Sequence, residues 1–174
     1  MNIVAKFEKV SFEQFKSAWV KGNPTSKTQW SEEELREIYD AIQLPKRATS
    51  GSAGYDIFAP CDFSIPVGET RIVPTGLRCR IENGWFLDIN PRSGIGFKFG
   101  LRLTNTRGII DSDYYHSDNE GHIMIKFIND SCIKKDFEAV AGQGIAQGIF
   151  TIYGITEDDS VSAVRNGGFG STGV

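Results

Sequence analysis

The chain has 174 residues, 40% of them apolar and 24% charged, so one packed domain, or one with an appended element, is expected rather than wholesale disorder. A net charge of −3 leaves no broad basic footprint for duplex nucleic acid, although a small anionic ligand needs only local cations or backbone N–H groups. No apolar run reaches 18 residues and no apolar h-region opens the chain, which predicts neither a membrane span nor a secretory signal. Cys61, Cys79 and Cys132 are odd in number, far apart and without a C-x-x-C pair. They read as small apolar residues in or near a core, in a reducing cytoplasm.

In chain order, residues 2–9 alternate weakly and predict a strand. Ser11 and Gln14 then form an S-x-x-Q cap, with Phe15, Ala18 and Trp19 at helical spacing. Ser31 to Glu34 is a second capping box, followed by Leu35, Ile38, Tyr39 and Ile42 at i, i+3, i+4, i+7. Two short helices are expected within 11–43, ended by Pro45. From Tyr55 onward short strands dominate, at 61–65, 71–73, 77–81, 85–89, 122–128 and 148–153, with turn signals every 8–12 residues. That spacing predicts an all-β sandwich or barrel, and the connections are too short for a doubly wound α/β sheet. Nearly all the glycines, 18 of 19, lie between Gly51 and Gly173.

Four of the glycine-containing segments carry chemistry. In Ser52-Ala53-Gly54-Tyr55-Asp56 the acid follows a turn, where it either closes the turn or holds a hydrated cation. Pro91-Arg92-Ser93-Gly94 and the residues to Gly100 bring a guanidinium, a hydroxyl and glycine-freed N–H groups together. These are the parts of a phosphate cradle, or of a surface turn with a paired arginine. In Asn105 to Tyr114, Asp111 and Asp113 point the same way at strand period, and either could hold and deprotonate a water. The alternative is an ordinary acidic hairpin. The tail, Arg165 to Gly173, sets a lone Phe169 among glycines. It is either a frayed end or a flap that orders over a ligand.

Taken together, and with Gly142 to Gln147, these segments resemble the five ordered motifs of the trimeric dUTP pyrophosphatases (dUTPases). Ala53-Gly54-Tyr55-Asp56 matches the first and Pro91-Arg92-Ser93-Gly94 the second. Gly108 to Tyr114 matches the third, Ile145-Ala146-Gln147 the fourth and Gly167 to Gly173 the fifth. The resemblance implies a single all-β domain over 1–174, a jelly-roll-like β-clip barrel, carrying a helical insertion at 11–43 and a mobile lid at 166–174. It implies a cytoplasmic homotrimer with shared active sites that splits dUTP into dUMP and pyrophosphate with Mg²⁺. Such an activity limits dUTP and supplies dUMP for thymidylate synthesis.

By the same resemblance, Asp111 is the general base for the attacking water, and Asp56 contacts Mg²⁺ through water. Arg92, Ser93, Gly94 and Gln147 bind phosphates, with Arg165 reaching the γ-phosphate. Asn105 and the backbone from Gly108 to Ile110 read the uracil edge, and Tyr114 lies against the deoxyribose. Phe169 stacks on the uracil, with Gly170, Ser171 and Thr172 closing the lid. Three departures stand out. Gly144 replaces a residue usually charged in the family. Arg165 is one position nearer Phe169 than usual. His116 to Glu120 lengthens a hairpin, as a solvated loop or a metal site. The insertion at 11–43 docks on the barrel or a neighbour, or serves a protein partner. A dCTP deaminase, a bifunctional deaminase–dUTPase and a non-catalytic regulatory trimer are the alternatives.

Overall fold

The computed structural model describes residues 2–25, 27–163, 165 and 167. In chain order the strands are β1 (Ala5–Lys9), β2 (Lys46–Arg47), β3 (Tyr55–Phe58), β4 (Phe63–Ile65), β5 (Thr70–Pro74) and β6 (Leu77–Ile81). They continue as β7 (Trp85–Pro91), β8 (Leu101–Leu103), β9 (Gly108–Ile110), β10 (Met124–Asn129), β11 (Phe137–Ala139) and β12 (Gly144–Ile152). The helices are α1 (Phe12–Gly22), α2 (Glu32–Ala41) and α3 (Ser93–Phe99). The β body and the two inserted helices are therefore as expected.

The largest sheet has the order β2-β3-β12-β7-β9, and a second has the order β5-β10-β8. Two pairs, β1-β6 and β4-β11, complete the body, and the described ladders are antiparallel. Alternation sets the inward faces. Leu77, Cys79 and Ile81 of β6 are buried, as are Leu87 and Ile89 of β7 and Ile125 and Phe127 of β10. Burying side chains of this size contributes about 1.5–3 kcal/mol each. Asn129 is a buried polar exception, and its amide donates to the carbonyls of Ile65 and Lys135.

The inserted helices share this core. Phe12, Phe15, Trp19, Leu35 and Ile42 belong to the same buried cluster as the strands. Ser31 and Glu34 complete the capping box of α2. The docking is close at Gly76, whose φ is +70°. A Cβ there would lie 2.3 Å from Ile42 Cδ1, so the left-handed backbone requires glycine and any side chain would displace Ile42. The insertion thus packs on its own barrel.

Several expectations are corrected. The segment after Arg92 is a helix, α3, closed by Gly100 in the left-handed region. Strand β9 ends at Ile110 and a 3₁₀ helix runs from Ser112 to His116, so Asp111 and Asp113 do not share a strand face. Cys61 and Cys79 are buried, whereas Cys132 is exposed. Phe169, Gly170, Ser171 and Thr172 lie outside the described residues, as does most of the expected lid.

Candidate active site

The first cluster lies on one face of the five-stranded sheet. Lys46 pairs with Asp56, Asp56 with Gln147, and Gln147 with Asn90, so four polar side chains cross four strands in one row. Arg92, just past β7, returns over this row and places its Nε 3.2 Å from Asp56 Oδ1. The Gln147 amide donates to the Pro91 carbonyl at 3.4 Å. Ser93 and Gly94 open α3, where first-turn N–H groups have no intrahelical acceptor. The expected residues Asp56, Arg92, Ser93, Gly94 and Gln147 are thus brought together.

Gly144 explains how Arg92 fits. A Cβ at this position would sit 2.6 Å from Arg92 Nη1 and 3.0 Å from its Cδ. The missing side chain is the slot through which the guanidinium reaches Asp56. Asn90 did not stand out in the sequence, because its place in the row depends on the β7–β12 register. Alternation back from Arg92 is the signal that could have found it.

The second cluster surrounds a cavity of about 430 Å³ between β9 and the β5-β10-β8 sheet. Asn105, Gly108 and Ile110 line it, with Ile72, Leu103 and Met124 as apolar walls. Asn105 sits in the tight turn between β8 and β9, where Thr106 has φ +67°. Next to it, Arg107 forks onto Asp88 of β7 with Nε at 3.1 Å and Nη2 at 2.5 Å. Asp88 stands opposite Ile109, so the fork ties the turn to the neighbouring strand. Sequence reading missed this pair as well.

Asp111 follows Ile110 directly and keeps its side chain 46% exposed, within reach of a ligand. Arg165 Nη2 donates to Asp111 Oδ2 at 2.6 Å, and Arg165 Nε lies 3.0 Å from Asp113 Oδ1. Arg165 therefore sits beside the expected base, in a different cluster from Arg92. Tyr114 is buried at 4% exposure. Its hydroxyl donates to the His122 carbonyl and accepts from the Asn119 amide, both at 2.8 Å.

The lengthened hairpin has a structural explanation. Among the described residues no group of three His, Cys, Asp or Glu is arranged to hold a metal ion. Glu120 instead accepts from the backbone N–H and the hydroxyl of Ser11. Burial alone would raise the Glu120 carboxyl, but the Ser11 bonds, helped by Arg78 and His122, bring it below its ordinary value. His122 is fully buried, and its Nε2 accepts from the Gly76 N–H at 2.8 Å. Burial pushes the imidazole down to about 4, against a small opposing pull from Glu120.

Comparison with known proteins then decides the family. The dUTPase family model matches residues 40–173. The deoxyuridine 5'-triphosphate nucleotidohydrolase of Lactococcus lactis is 41% identical over 137 residues, covering 76% of this chain and 89% of that protein. The chain belongs to the dUTPase family. The dUTPase of Streptococcus mutans superposes with a TM-score of 0.60 at 34% identity, covering 68% of this chain and 91% of that one. The dUTPase of Staphylococcus aureus phage phi11 has the same fold at 19% identity, with a TM-score of 0.58 over 71% of this chain and 92% of that one. A mutant of that phage enzyme coordinates a structural Mg(II) ion. This dUTPase hydrolyses dUTP to dUMP and pyrophosphate. These relatives are nucleotidohydrolases, which favours hydrolysis over the deaminase and non-catalytic alternatives. No helix among the described residues is long and apolar enough to cross a membrane.

Proposed function

We propose that this dUTPase works as a cytoplasmic homotrimer whose active sites each combine residues of different subunits. One observation carries the proposal: the register separates the two clusters within a chain. Ile110 pairs with Leu87, so Asp111 leaves the ladder level with Phe86, whereas Arg92 lies past the other end of β7. Phe86 and Arg92 are six residues apart, about 20 Å at the rise of a strand. A base that activates water at the α-phosphorus and a cradle for the same phosphate chain cannot stand that far apart. A second copy closes the gap by bringing its Arg92 cluster to this chain's Asp111.

In this site the cavity takes the uracil. Asn105 and the main chain from Gly108 to Ile110 supply fixed donors and acceptors for its edge. Cytosine presents the swapped pattern and leaves buried groups unpaired, which is costly. Tyr114 supports the sugar from the core side. Arg92, Ser93, Gly94 and Gln147 hold the phosphates. Asp111 takes a proton from the attacking water as the bond from the α-phosphorus to the bridging oxygen breaks and pyrophosphate leaves. A positioned base of this kind is typically worth about 10²–10⁴ in rate. Arg165 exchanges Asp111 and Asp113 for phosphate oxygens when substrate enters, freeing the base. Phe169, Gly170, Ser171 and Thr172 close over the nucleotide, with Phe169 on the uracil face.

Asp56 fits Mg²⁺ held through water. It is a single carboxylate, 17% exposed, beside phosphate-binding groups, and Mg²⁺ commonly takes one or two carboxylates plus substrate phosphates while keeping waters. When bound, the ion neutralises phosphate charge. The shared site is tested by mixing two impaired variants, Asp111→Asn and Arg92→Met, after subunit exchange. Mixed trimers are expected to regain part of the dUTPase activity, because some sites then draw both wild-type residues. Activity no greater than that of the parents would mean that each chain carries a whole site.

A further inference from the structure

We propose that Lys46 is a further substrate-binding residue, a cation on the phosphate-binding face. The inference rests on the reading of the Arg92 cluster as the phosphate site. Lys46 begins the row Lys46–Asp56–Gln147–Asn90, so its side chain leaves the sheet on the same face as Asp56. Its ammonium lies 5.5 Å from the centre of the Phe58 ring. Phe58 is the cross-strand partner of Gly144, the position without a side chain that Arg92 occupies. Lys46 from β2 and Arg92 just past β7 therefore reach towards the Phe58–Gly144 pair from opposite sides.

Charge supports the assignment. A triphosphate carries several negative charges, and Arg92 is already paired with Asp56. Among the described residues Lys46 has no carboxylate partner, and it is exposed. Its charge is therefore not balanced by a salt bridge, whereas that of Arg92 is. A lysine acts on phosphate as a point charge and needs no fixed fork geometry, which suits a flexible side chain resting on an aromatic ring. Gly144 contributes by leaving the slot open to both cations.

Steady-state kinetics with Mg²⁺ and dUTP, together with inhibition by dUDP and by deoxyuridine, test this directly. One charge-assisted contact at an exposed site predicts a KM about ten-fold higher for Lys46→Met, with kcat changed less than about two-fold. Lys46→Arg, which keeps the charge, is expected to stay near wild type. Inhibition by dUDP should weaken in Lys46→Met while inhibition by deoxyuridine does not change. An unchanged KM in Lys46→Met, or equal weakening of both inhibitors, would overturn the assignment. Arg92→Met separates the two levels. If it raises KM and Lys46→Met does not, only the role of Lys46 falls. If neither does, the phosphate site itself is misplaced.

Discussion

Glu120 accepts two hydrogen bonds from Ser11, from its N–H at 2.7 Å and from its hydroxyl at 2.5 Å, across 109 positions of sequence. The Ser11 hydroxyl in turn accepts from the Gln14 N–H at 3.2 Å. A carboxylate from the lengthened hairpin thus serves the Ser11 N–H, the donor that a capping box would pair with its own third residue. Two of the expected departures from the family pattern, the inserted helices and the 116–120 loop, thus meet at this contact. Ser11→Ala and Glu120→Ala are each expected to cost about 1 kcal/mol in urea unfolding, the usual value of a lost cap. The double variant should cost little more than either single one. Full additivity would show that the contact carries no stability.

Excision of 11–43 is a harsher matter. Phe15 and Trp19 are 0% and 1% exposed within the common core, so their removal opens the barrel. The shortened chain is expected to be insoluble or unfolded, checked by circular dichroism and size-exclusion chromatography. A folded, soluble product would mean that the strands close their core without the helices.

His122 makes stability depend on pH. Its folded pKa, about 4, lies below its ordinary value of 6.5, so the unfolded chain takes up the proton first as pH falls. The contribution is fully present above 6.5 and is lost as pH drops towards 4. Between pH 7.5 and pH 5 this amounts to about 2 kcal/mol. His122→Gln keeps an acceptor for the Gly76 N–H but does not titrate. Its unfolding midpoint should therefore fall less than that of the wild type over this range. Parallel pH profiles would contradict the buried neutral imidazole.

Arg107 and Asp88 hold the turn that presents Asn105. Arg107→Met leaves the cavity walls intact but frees the turn. KM for dUTP is expected to rise several-fold and amide exchange from Asn105 to Gly108 to accelerate. Arg107→Lys, which cannot make the planar fork, should fall between that variant and the wild type. Unchanged exchange in Arg107→Met would remove the pair from any role in positioning.

The legible parts of the molecule were those written locally. Ser31 and Glu34 announce α2 within four residues, and the alternation of β6 and β10 announces their buried faces. The motifs named candidate residues, and their arrangement in two clusters needed the register. Helix α3 was hidden because Gly94 and Gly96 lower helix propensity by about 1 kcal/mol each. It forms because Ile95 is buried and Gly100 caps it. The strand geometry expected for Asp111 and Asp113 gives way to a 3₁₀ helix immediately after β9, although both carboxylates still meet at Arg165. The contacts Ser11–Glu120, Arg107–Asp88 and Arg165–Asp111 join distant residues, and no local pattern encodes them.

In the proposed mechanism Asp111 is the base that activates water against dUTP. The most direct measurement is pyrophosphate release by Asp111→Asn with Mg²⁺ and saturating dUTP, beside calorimetric binding of dUTP to the same variant. Turnover is expected to fall by at least about 10²-fold, the usual worth of a general base, while dUTP still binds. Near-normal pyrophosphate release from Asp111→Asn would contradict it.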